Sequence, residues 1–191
     1  MGCWGITAFE SDAGLDAVGC IRENLPEDGC LNLENMIEVL EADEWSRPPD
    51  ATEGVSHSSM MALAEVTLKL REGDLQGLDY EDEWEKDEKK FSAITSIYAD
   101  RESVQWLKEY LSDTLRYSRE NAKQEAKIGR HGNGWYKEQD WTSWQAHMEK
   151  LIGSIDELLQ MPEEEIRLPS PETKEKLSMS EDQRFHMGGI A

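Results

Sequence analysis

The sequence predicts a mainly α-helical domain of about five to six helices, with an irregular aromatic-rich opening and a weakly ordered C-terminal tail. Three observations carry this. Apolar residues recur at spacings of three and four over most of the chain, the period of one helix face. Residues that cap helices stand before several of these stretches. The composition, 38% hydrophobic with a mean hydropathy of −0.72, suits a compact core with a broad polar fringe.

The opening, Met1 to Asp12, sets Trp4 between Gly2 and Gly5 and is followed by Phe9. It reads as an irregular or extended segment whose aromatics plug the core. Ser11 or Asp12 can cap a helix that runs to about Leu25, with Leu15, Val18, Ile21 and Leu25 inward. Asn32 is the candidate cap of a second helix over Leu33 to Trp45, which Pro48 and Pro49 follow. Ser58 to Arg71 is apolar nearly all round, which predicts a central helix, and Gly73 is its expected stop. A short helix from about Trp84 to Tyr98 is expected from Phe91, Ile94 and Ile97.

Asp100 can cap a long helix from Arg101 to about Lys127, with Val104, Leu107, Leu111 and Leu115 as its inner stripe and its last turns in solvent. His131-Gly132-Asn133-Gly134 reads as a turn. The final helix, about Glu138 to Gln160, has the longest stripe: Trp141, Trp144, Met148, Leu151, Ile152, Ile155, Leu158 and Leu159. The domain is therefore expected over 1–160 and a polar tail over 161–191, where Pro, Ser and charges dominate and Ile166, Leu168, Leu177, Met179 and Phe185 are possible anchors.

Charge is the strongest compositional feature. The chain holds 41 acidic and 20 basic residues, a net charge of −21. Residues 1–56 contain 13 of the acids and only two bases. Such a chain repels nucleic acid and anionic membranes at long range and attracts basic partners. No apolar run approaches the about 18 residues of a membrane span. No basic stretch precedes an apolar one near the start, so no signal peptide is expected. Met1-Gly2 invites a myristoylation reading, but that motif has Ser or Thr where this chain has Ile6. Three cysteines, Cys3, Cys20 and Cys30, match no zinc or redox spacing and fit a reduced cytoplasmic setting.

The opening also resembles a known family. Met-Gly-x-Trp-Gly, followed by Phe9-Glu10-Ser11-Asp12 and then Ala13, Leu15 and Asp16, is similar to the start of the bacterial domain of unknown function 4259. The resemblance is good over about the first 25 residues and loose over the first 70. It implies a bacterial or phage origin and a small helical domain, and no activity.

No catalytic motif stands out. The four histidines, His57, His131, His147 and His186, form no ligand-spaced pair, so neither a metal nor another cofactor is expected. Glu10, Asp12 and Asp16 could bind a cation or a basic partner, or could serve as capping and helix-start residues. Cys3 or Cys20 as a nucleophile would need a nearby base, and a buried thiol is the simpler expectation. Arg116, Arg119, Lys123, Lys127 and Arg130 share one helix face, either as an anion stripe or as a solvated face.

The run Asp79, Tyr80, Glu81, Asp82, Glu83, Trp84, Glu85, Asp87 and Glu88 is the expected partner-binding surface. Spaced carboxylates can imitate a phosphate backbone, and aromatics can be buried at an interface. The expected function is a non-enzymatic inhibitor of a basic, nucleic-acid-binding partner such as a nuclease. A toxin immunity protein and a phage anti-defence inhibitor are its two forms. Two alternatives stay open: an enzyme with a dispersed site such as Asp12, Asp16 and His147, and a scaffold that self-associates through the Trp141–Leu159 stripe.

Overall fold

The computed structural model describes residues 3–75, 78, 90–129, 135 and 137–168. It is mainly helical, with a small three-stranded sheet. Helix α1 spans Asp12–Glu23 and starts where Ser11 Oγ accepts from Gly14 N at 3.0 Å. Helix α2, Leu33–Ala42, starts at Asn32, whose side chain accepts from Asn35 N. Helix α3, Ser59–Glu72, starts at Ser58 and ends at Gly73, which takes the left-handed conformation that glycine adopts without strain. Helix α4, Arg101–Ala126, is capped by Asp100, and α5 spans Glu138–Gln160. Each of the four side-chain caps satisfies an amide of a first helical turn that has no partner inside the helix.

Helix α3 is the centre of the packing. Its residues Met60 to Thr67 are all buried, and α1, α2, α4 and α5 pack around it. Its all-round apolar character is what that position requires. The inner stripe of α4 and the stripe of α5 are buried against each other and against α3. The α5 stripe that would have to be open in a self-associating scaffold is therefore largely used inside the domain.

Three expectations are corrected. Helix α2 stops at Ala42 instead of Trp45, because Asp43 Oδ1 accepts from Trp45 N and Ser46 N and turns the chain. The opening aromatics do not both plug the core: Trp4 is 60% exposed, while Ala8 is fully buried and Phe9 packs partly against the core. The helix expected up to Tyr98 is absent from its described part. Phe91–Ala93 form a single 3-10 turn and Ser96–Tyr98 form strand β2; residues 84–89 lie outside the described residues.

Strand β2 lies between β1, Cys30–Asn32, in parallel and β3, Glu165–Arg167, in antiparallel. Leu31, Ile97 and Ile166 are mutually in register, and the first two are fully buried. Phe91, Ile94 and Ile97 are spaced as on a helix face, and Ser96–Tyr98 is too short for its own pattern to announce a strand. The pairing with two distant segments decides for the strand. Strand β3 falls within the stretch expected as tail, and Ile166 and Leu168 pack against the core. Residues 169–191 lie outside the described residues, as does the turn expected at 131–134. No helix among the described residues is long and apolar enough to cross a membrane.

Candidate functional site

Charge is sorted by side over the first half of α4. Along α4, Glu102, Gln105, Trp106, Glu109, Tyr110 and Asp113 fall at i, i+3, i+4, i+7, i+8 and i+11 and so share a face. Glu102, Gln105, Trp106 and Glu109 are exposed. The bases of the same half-helix turn the other way. Arg101 Nη1 donates to Leu159 O, and Lys108 pairs with Asp156, both toward the C-terminal half of α5.

The connection after α2 joins this face. Tyr110 Oη donates to Pro49 O at 2.8 Å, Ser118 Oγ to Gly54 O at 2.6 Å and Asn121 Nδ2 to Glu53 O at 2.9 Å. Residues 49–54 are thereby fastened along α4. A side chain at Gly54 would meet Ser118 N at 2.6 Å, so glycine is needed for this close approach. Burial chiefly, and then the charges of Asp50 and Glu53, raise the Tyr110 phenol above its ordinary pKa. Trp45 stands on the same connection, 82% exposed although its backbone is held by Asp43. On α1 and α2, Asp12, Asp16, Glu23, Glu34, Glu38 and Glu41 are exposed as well. Arg22 is buried and donates to Leu78 O.

The chain matches no family model, no curated protein and no solved structure. Its functional reading therefore rests on its own residues.

A second polar group lies inside the fold. Glu65, 4% exposed, accepts from Ala8 N at 2.9 and 3.0 Å and lies 2.6 Å from His147 Nε2. Near it, Cys3 Sγ is 3.5 Å from both nitrogens of His57. The Cys3 position corrects the expectation of a buried thiol, since this residue is exposed. A Cys–His pair becomes a nucleophile when the imidazole takes the thiol proton. Here the shifts run the other way. Desolvation lowers His57 and raises Cys3, and a Gly5 backbone hydrogen bond only partly offsets the latter. Both groups are held neutral, so the pair is not primed for attack.

The other expected residues are placed as follows. Glu10 turns inward: its Oε2 accepts from Ile6 N, Thr7 N and Thr7 Oγ1, and the Thr7 backbone is the main reason its carboxyl pKa is lowered. Asp12 and Asp16 stay exposed on α1, while His147 lies on Glu65. The structure thus joins His147 to a carboxylate that sequence reasoning missed. The available signal was a glutamate in the middle of the most apolar helix. In the basic stripe, Arg116 bonds Asp113, Arg119 bonds Gln145 and Glu149, and Lys127 bonds Gln124, which engages three of its members within the domain. Arg130, His131, His186 and the run Asp79 to Glu88 lie outside the described residues. Among the described residues, no group of three or more His, Cys, Asp or Glu side chains is placed to hold a metal ion.

Proposed function

We propose that this chain is a non-enzymatic acidic binding protein that inhibits a basic, nucleic-acid-binding partner, as a toxin immunity protein or a phage anti-defence inhibitor of the anti-CRISPR type does. The observation that supports it is the sorting of charge on the first half of α4: Glu102 and Glu109 outward beside an open aromatic, Arg101 and Lys108 turned to α5. Carboxylates held on a rigid helix and on the connection fastened to it take the places of phosphates in the partner's groove, and the groove is blocked. In this proposal Asp79, Glu81, Asp82, Glu83, Glu85, Asp87 and Glu88, with Tyr80 and Trp84, are further partner-binding residues. Attraction of this kind speeds encounter and is screened by salt.

The test is capture of partners from host lysate by the tagged full chain, washed at low and then high salt and identified by mass spectrometry. A basic nuclease or nucleic-acid-binding complex released by salt is the expected result. Retention that is indifferent to salt, or unchanged after charge reversal at Asp82, Glu83, Glu85, Glu102 and Glu109 together, counts against the proposal.

A further inference from the structure

The aromatic part of the α4 face narrows the chemistry of what docks there. Trp106 and Tyr110, one turn apart, stack with ring centroids 5.6 Å apart at 23°. Tyr110 is anchored through its hydroxyl to Pro49 O, so the stack is held in place, and Trp106 stays 37% exposed. Glu102 lies one turn before Trp106 and Glu109 one turn after, both exposed, with Gln105 Nε2 donating to Glu109 Oε1 at 2.6 Å. A flat aromatic with a carboxylate on either side matches one side chain better than others. The arginine guanidinium is planar, stacks on rings, and presents paired donors to carboxylates. Lysine offers a point charge without the plane. A nucleic acid or an anionic lipid surface is repelled by the same carboxylates. A second copy presenting this face would set acid against acid.

We propose that Trp106, Tyr110, Glu102 and Glu109, with Trp45 on the adjoining connection, receive arginine side chains from an extended basic segment of the partner. This rests on the reading above that the partner is basic.

The test titrates the full chain with oligo-arginine and oligo-lysine peptides of equal length at low and at physiological salt. The arginine peptide is expected to bind several-fold more tightly. Trp106→Leu preserves every charge and is expected to weaken the arginine peptide about two- to fivefold, the effect of an exposed cation–π contact, with less effect on the lysine peptide. A second readout needs no variant. The indole N–H resonances of Trp45 and Trp106 should shift on titration with the arginine peptide. That of Trp144, which donates to Ser56 O inside the fold, should stay. Equal affinity for both peptides, or shifts confined to other indoles, overturns the arginine site. If binding then still falls with salt, the basic-partner reading survives. Failure of the native chain to retain either peptide at low salt removes both.

Discussion

Glu65 Oε1 and His147 Nε2 meet at 2.6 Å across 82 residues of sequence, and the same carboxylate also accepts from Ala8 N. One buried side chain thus ties the opening segment, α3 and α5 together. His147 is one-fifth exposed and Glu65 almost closed off. Removing His147 takes one partner from the buried Glu65 carboxylate, which keeps Ala8 N. His147→Ala is expected to cost about 1–3 kcal/mol in urea unfolding. In a double-mutant cycle with Glu65→Gln, a coupling above about 1 kcal/mol is expected. Additive losses would show that the two residues act independently.

Stability should have an acid limb set by His57. Burial is the largest cause of its shift and lowers its pKa below the ordinary 6.5. The folded state then binds fewer protons than the unfolded chain, so the contribution is complete above the unfolded value. It is lost as pH falls toward the folded one, by at most about 1.4 kcal/mol per pH unit. Thermal unfolding from about pH 7.5 down to 5.5 should show this slope, and His57→Gln should flatten it. An unchanged slope in the variant would assign the limb to other groups.

Cys3 should be a sluggish thiol despite its exposure. Burial of its sulfur, with the charge of Glu10 adding, raises its pKa. Only the thiolate attacks, so iodoacetamide at about pH 8 should modify Cys3 more slowly in the folded chain than in urea. Faster modification in the folded chain would mean that His57 activates it.

Two glycines of α1 should respond oppositely to alanine. A Cβ on Gly14 would lie 1.9 Å from Ala8 O, so the opening segment must move. Gly14→Ala should cost about 2–3 kcal/mol, as forced overpacking does. A Cβ on Gly19 meets nothing within 4 Å, and Gly19→Ala should stabilise by up to about 1 kcal/mol through helix propensity. Equal effects in denaturant unfolding would contradict this contact.

Much of the helical framework was legible because it is local. Ser11, Asn32 and Asp100 announce helix starts by a side-chain bond three residues ahead, and the α5 stripe repeats with a period that the backbone itself imposes. The candidate face was only partly legible. Acidity is read from composition, whereas the run singled out, Asp79 to Glu88, lies outside the described residues.

The sequence by itself determined the helical class, three caps, the span of α5 and the acidic balance, since each depends on neighbours within a few positions or on composition alone. Only the tertiary structure decided that Ser96–Tyr98 is a strand, that Trp45 is left in the open, that Glu65 meets His147, and that the bases Arg101 and Lys108 turn to α5 while Glu102 and Glu109 face out. Each of these is a contact, or a missing contact, between segments dozens of residues apart. Packing alone selects among partners that local sequence leaves equivalent.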